Sequence, residues 1–205
     1  MAVDRKNTRK LSPGTVVSSR ALVTIDDVPV ALPDPLQLVH LQFRRFAGCP
    51  VCNLHLQSFA RRHQELLAAS IREVAVFHST AKQLCPHARG LPFAVIADPE
   101  KLLYAAFGVE SSPRALLDPR AWWPIVRAVA HALVAILRGR APAPEASPHG
   151  GRLGLPADFL IAPDGRVVAC KYGEYVDDQW SVDEVLTLAG ASRTEAPASS
   201  PQPAM

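Results

Sequence analysis

Residues 38–52, LVHLQFRRFAGCPVC, hold the junction that decides how the chain folds. Leu38 to Phe46 alternates and is rich in large apolar side chains, the pattern of a strand, whereas from Cys52 to Ala69 the residues Leu56, Phe59, Ala60, His63 and Leu67 recur at helical spacing. A strand thus runs into a helix, and the helix opens on Gly48-Cys49-Pro50-Val51-Cys52. There, unsatisfied backbone N–H groups and the positive end of the helix dipole face the first cysteine and favour its thiolate, while Pro50 in the first turn removes no hydrogen bond. Cys49 is expected to be acidic and to sit bare at the coil-to-helix junction. A fall in its pKa from about 8.5 to about 6.5 would raise the thiolate fraction at neutral pH from a few per cent to roughly three quarters. Cys52 lies one turn on, on the same face, within disulfide reach, and can attack a mixed disulfide or an oxidised sulfur formed at Cys49.

A CxxC pair also serves as half of a structural zinc site, with Cys85 and His87 of Cys85-Pro86-His87 as further ligands, or as a purely structural buried pair. A pair opening a helix in a strand-helix-strand unit points instead to dithiol redox chemistry, with no metal and no organic cofactor. Cys85 in a helix and Cys170 in a strand read as small buried hydrophobes. Arg44 and Arg45 fall on a strand and point to opposite faces, so at most one reaches the thiolate. His78, at the end of a second strand, is a candidate acid or base, its alternative being a partly buried strand end. Tyr172 and Tyr175 offer hydroxyls near the sheet edge.

On either side the pattern repeats. Arg20 to Leu32 reads as a hairpin turning at Asp26-Asp27. Ile71 to Phe77 and Phe93 to Ala97 read as strands, with helices over Thr80 to Ala88 and Pro99 to Phe107. Ala157 to Ile161 and Arg166 to Lys171 form a hairpin through Pro163-Asp164-Gly165, and Ser181 with Glu184 makes a capping box for a final helix. Strands alternating with helices imply an α/β three-layer sandwich: a central mixed sheet with helices on both faces. Between them, residues 110–151 form a helical insertion. Its core, Ala121 to Leu137, is the longest apolar stretch, but Arg127 near its middle disfavours a membrane span. Arg127, His131 and Arg138 form a polar stripe beside Val126, Val129, Leu133 and Ile136, so the helix is amphipathic and would cover the site or pair with a second subunit in a homodimer.

The run from Arg20 to Leu188, with Gly154-Leu155-Pro156-Ala157-Asp158-Phe159-Leu160-Ile161 before the Pro-Asp-Gly turn, resembles the thioredoxin-fold superfamily and within it the peroxiredoxin-like AhpC/TSA group. The resemblance implies a cis-proline at Pro156, forming a wall against the cysteine pair where an extended substrate binds; an ordinary trans proline starting the strand is the alternative. The sequence departs from peroxiredoxins where they place a threonine three residues before the cysteine and an arginine before the late strand. Phe46 and Pro156 stand there.

The 205 residues, 48% hydrophobic and 20% charged, suit one domain, spanning 15–190 between disordered tails at 1–14 and 191–205. A net charge of +3 sets up no strong nucleic-acid field, and Met1 to Thr15 lacks the apolar core of a signal peptide, so a reducing cytoplasm is the expected location. The expected function is thiol-dependent peroxide reduction through Cys49 and Cys52, with a cellular dithiol as reductant. The alternatives are dithiol-disulfide exchange with protein substrates by the same pair, and a non-catalytic redox-sensing or metal-binding interaction protein.

Overall fold

The computed structural model describes residues 9–88, 90–144, 148 and 150–195. The hairpin is β1 (Arg20–Val23) and β2 (Pro29–Leu32), turning at Asp26 and Asp27. The junction segment gives β3 (Leu38–Arg44) and α1 (Pro50–Arg61), followed by α2 (His63–Ala68) and β4 (Ile71–Phe77). Then come α3 (Ala81–Ala88), β5 (Ala94–Ala97), α4 (Leu102–Ala106), α5 (Arg114–Leu117) and α6 (Pro119–Leu137). The chain ends with β6 (Ala157–Ile161), β7 (Val167–Tyr172) and α7 (Val182–Glu195). Glu184 N–H donates to Ser181 Oγ and Ser181 N–H to Glu184 Oε2, which is the expected capping box.

The five-stranded sheet has the order β5-β4-β3-β6-β7, with β3, β4 and β5 parallel and β6 and β7 antiparallel to their neighbours. The crossovers after β3 and β4 carry helices, as parallel pairing requires. The hairpin joins the β5 edge, where Ile25 N–H donates to Val95 O.

Strand β3 is buried along its whole length and feeds both faces. Val39, Leu41 and Phe43 enter one apolar layer with Val74, Val76, Phe159 and Phe107. The residues between them, His40, Gln42 and Arg44, are also fully buried and need polar partners. Cross-strand register supplies these, because His40 stands opposite Glu73 and Gln42 opposite Asp158. His40 Nδ1 lies 2.8 Å from Glu73, and Arg44 Nη2 lies 2.7 Å from Asp158 Oδ1 and 3.1 Å from His55 Nε2 of α1. Burial alone would lower the basicity of His40, but the two carboxylates carry its pKa up to about 9.

Two expected boundaries move. Within the segment expected to be a tail, Leu11 N–H donates to Tyr172 Oη and Gly14 N–H to Val167 O, so residues from Leu11 onward are tied to the sheet. At the other end α7 continues to Glu195. Residues 1–8 and 196–205 of the expected tails, and 145–147 and 149 of the insertion, lie outside the described residues.

Two outcomes follow for the buried network. Arg44→Met leaves Asp158 without its nearest cation and should cost about 3–5 kcal/mol in urea unfolding. His40 titrates above its unfolded value of 6.5, so its stabilisation is complete below that pH and is lost as pH rises through about 9. Urea midpoints from pH 6 to 9.5, with Cys49 replaced by Ser so that no thiolate titrates in the opposite sense, should therefore fall by the equivalent of on the order of 3 kcal/mol relative to a His40→Asn variant of that protein.

Candidate functional site

The turn from β3 into α1 is built on Gly48, whose φ of +76° places it in the left-handed region. A Cβ there would come within 2.7 Å of the His87 ring and 3.0 Å of Pro144 Cα, so only glycine fits. Ala47 N–H is held by Ser79 Oγ at 2.9 Å, and Cys49 N–H closes a turn onto Phe46 O at 3.1 Å. Cys49 is the N-cap of α1, with Pro50 at the first helical position and Asn53 N–H donating to the Cys49 carbonyl at 2.9 Å.

Both cysteines are free thiols, side by side in one apolar cluster. Burial pushes the Cys49 thiol up. The opposing influences are stronger: the Cys52 S–H donated to it, the Arg45 guanidinium, and the backbone N–H groups of Cys52 and Val51 bring its pKa down to about 6. Cys52 moves the other way, raised by burial and by its hydrogen bond to Cys49 and the negative charge there. The pair therefore holds one thiolate and one neutral thiol at neutral pH.

Of the two arginines, Arg45 reaches the sulfur, with Nη1 3.7 Å from Cys49 Sγ, and Arg44 turns away into the buried network. Arg45 is fixed by donation to the Arg152 carbonyl and lies 5.3 Å from the centre of the Phe46 ring. The cation at the sulfur thus comes from the end of the preceding strand, and Phe46, at the place where peroxiredoxins carry threonine, supports it. His78 is buried beside Arg45. Its backbone N–H donates to Arg45 O, its ring packs 5.7 Å from Tyr104, and a Cβ on Gly154 would meet its Nε2 at 2.9 Å.

Two expectations are corrected. Pro156 is not cis: among the described residues the cis peptide is Leu32-Pro33. Leu155 N–H already donates to Glu110 O and the Pro156 carbonyl accepts from Gly173 N–H, so the chain enters β6 extended and Pro156 is the ordinary strand-opening proline. Cys49 is not bare either: it is 1% exposed and Cys52 2%. The insertion and α3 cover them. Helix α6 seats Ala121 and Ala128 in the same cluster as Val51 and Leu56 of α1, and His87 and Pro144 close over Gly48. What remains at the sulfurs is a cavity of about 20 Å³ between Phe77, Leu84 and Leu91, the space of about one water molecule.

Tyr172 is occupied elsewhere, donating to Phe107 O and accepting from Leu11 N–H, and Tyr175 lies under the Arg120 guanidinium. Cys170 is half-buried on β7, and burial raises its thiol. Among the described residues no group of three or more His, Cys, Asp or Glu is placed to hold a metal ion. Sequence reasoning missed Ser79, brought in by the pairing of β4 with β3, Arg152, brought in by the insertion's return, and Tyr104, brought in by α4.

Comparison with known proteins places this geometry. The model of the AhpC/TSA antioxidant enzyme family matches residues 58–174, more than half of the chain. The chain belongs to the AhpC/TSA antioxidant enzyme family. The match begins beyond Cys52, so it covers β4 to β7 and the insertion while the cysteine pair lies just outside it. No curated protein matches the chain. Among solved structures it is similar to the peroxidoxin BcpB from Mycobacterium tuberculosis, at 18% identity and a TM-score of 0.62 over 88% of this chain and 97% of that one. It is also similar to a protein assigned as thiol:disulfide interchange protein DsbE from Chlorobium tepidum, at 18% identity and a TM-score of 0.55 over 89% and 98%. A third is the 2-Cys peroxiredoxin of Plasmodium vivax, at 15% and 0.59 over 90% and 83%. At these identities the likeness is one of fold, and that fold is thioredoxin-like. AhpC/TSA membership and the cysteine pair together make this chain a thioredoxin-fold thiol oxidoreductase.

Titration of thiolate absorbance at 240 nm in reduced protein should show a step near pH 6 that Cys49→Ser removes. Cys52→Ala and Arg45→Gln should each move the step upward, since each removes a group that stabilises the anion.

Proposed function

We propose that this AhpC/TSA member reduces small peroxides at Cys49. The observation that carries the reading is the Arg45 guanidinium 3.7 Å from an acidic sulfur enclosed with a neutral partner thiol. The Cys49 thiolate attacks the terminal oxygen of a hydroperoxide and the O–O bond breaks. The sulfur becomes a sulfenic acid, and the alkoxide or hydroxide leaves to take a proton from solvent. Arg45 faces the region where negative charge moves from sulfur to the departing oxygen, the role that a positioned cation fills in such transition states. Cys52 then attacks the sulfenic sulfur, forming the disulfide and releasing the hydroxyl with the Cys52 proton as water. A cellular dithiol returns both thiols, in a reducing compartment such as the cytoplasm.

Burial favours a small electrophile. A hydroperoxide needs little room, whereas a protein disulfide must bring a backbone against a sulfur that is 1% exposed. Dithiol-disulfide exchange keeps one supporting observation, the split between an acidic first and an inert second thiol, together with the fold likeness to the interchange protein. His78, buried beside Arg45, is not a reacting group in this reading, and Pro156 takes no part in it.

Stopped-flow oxidation of reduced protein by hydrogen peroxide and by an alkyl hydroperoxide tests the proposal. Oxidation should be far faster than for a free thiol, vanish in Cys49→Ser, and stop at a dimedone-reactive sulfenic acid in Cys52→Ser. Arg45→Met should slow it about a hundredfold. A rate no faster than that of a free thiol, with turnover in insulin reduction, reverses the ranking.

A further inference from the structure

Helix α6 has two apolar faces, and the fold uses one. Ala121 and Ala128 are buried against the core beside α1, whereas Trp122, Trp123, Val126, Val129, Leu133 and Leu137 are each between 48% and 77% exposed. At 3.6 residues per turn these six form one continuous face opposite the two alanines, running the length of a helix of about 28 Å. An exposed apolar stripe of this extent on a soluble chain marks an interaction surface.

Its charge tells what it faces. No Asp or Glu occurs between residues 119 and 144, while Arg120, Arg127, Arg138 and Arg140 do. Arg120 is engaged by Asp118 and Glu174. Arg127, Arg138 and Arg140 are exposed and have no carboxylate within ion-pair distance among the described residues, although Asp177 shares a groove with Arg127. Arg127, His131 and Arg138 line one flank of the apolar face, and Arg140 follows its end. Self-association through this face would bring two such rows of arginine together with no acid on either helix to offset them. An anionic lipid surface offers the opposite: acyl chains for the apolar face, headgroups at the depth of the two tryptophans, and phosphates for the arginines.

We propose that the outer face of α6 docks the protein on anionic membranes, the helix lying parallel to the surface. Among the described residues α6 is the one helix long and apolar enough to cross a bilayer. Crossing would place Arg127 in hydrocarbon and pull Ala121 and Ala128 off α1; docking keeps both as they are. The surface is independent of the peroxide reading, because none of these outer side chains lies at the sulfurs.

The test uses the reduced full-length protein with vesicles of mixed phosphatidylglycerol and phosphatidylcholine, and with phosphatidylcholine alone. Trp122 and Trp123 are exposed and Trp180 is buried, so a blue shift in emission reports the two on α6. Binding to anionic vesicles, measured by that shift and by co-sedimentation, should be at least about tenfold tighter than to neutral ones and weaken with salt. The double variant Val126→Glu/Leu133→Glu should lose it, and Arg138→Gln/Arg140→Gln should weaken it several-fold, while both keep the thiolate step near pH 6. Absence of binding, equal binding to neutral vesicles, or a dimer in sedimentation velocity that Val126→Glu/Leu133→Glu dissociates would each overturn the proposal.

Discussion

The two-residue alternation of a strand buried on both sides is the constraint from which the site follows. Because β3 lies at the centre of the sheet, neither Arg44 at its end nor Arg45 just beyond it reaches bulk water. Arg44 continues the face of His40 and Gln42, and it is tolerable there because Asp158 from β6 meets it. Arg45, one residue later, must go to the other side, and there the anion available is the Cys49 sulfur. Each arginine needs a negative partner for the same reason, namely the cost of an uncompensated charge in a dry interior. One partner is a carboxylate that holds the sheet together; the other is the acidic sulfur of Cys49.

Burial then sharpens the difference between the two thiols. In water a guanidinium near a thiolate is screened and does little. In an enclosed site the same contact is strengthened, and so is the penalty for ionising both cysteines. Once Cys49 carries the charge, Cys52 is held neutral and donates its proton to it. The enclosure that makes the sulfur hard to reach pushes its pKa up, and the Cys52 thiol, Arg45 and the backbone N–H groups outweigh it; the same enclosure keeps the partner protonated. The insertion contributes by setting small residues of α6 over α1 and by returning through Arg152, whose carbonyl fixes Arg45.

Legibility in the sequence tracks the range of the interaction. The strands and helices were readable because period-two and period-3.6 patterns are local, and β4 was readable to the residue because Ile71–Phe77 is bounded by a turn on each side. The acidic cysteine was readable because the groups that lower its pKa against burial, the Cys52 thiol and Arg45 ahead of the backbone N–H groups at the helix N-terminus, all lie within a few residues of it. The partition of Arg44 and Arg45 between faces was readable too, but not which face held the sulfur, since Asp158 and Glu73 arrive by sheet register from distant segments. The cover over the pair was hidden for a similar reason: nothing in His87 or Pro144 announces that they will meet at Gly48. Helix α6 was readable as amphipathic, but not which side meets the core: close approach to α1 selects Ala121 and Ala128 and leaves Val126, Val129, Leu133 and the two tryptophans outside.

The family match and the reactive pair occupy different stretches of the chain, and this separates two arguments. Residues 58–174 carry the sheet from β4 to β7, which is what makes the chain an AhpC/TSA protein. In the function proposed above the electrophile is chosen elsewhere, in residues 45–52, where a cation, a glycine turn and two cysteines are set within one strand end and one helical turn. A scaffold shared at 15–18% identity by peroxide-named and disulfide-named proteins does not choose between the two chemistries, because the fold alone does not carry the site. What differs between them is the charge that develops on the departing group and the room the substrate requires. An alkoxide leaving a small peroxide gains from a fixed guanidinium beside the sulfur and fits a closed site, whereas a protein thiolate leaving a disulfide needs an open groove. Arg45 and the burial of Cys49 both point the same way, and they are independent of the scaffold that carries them.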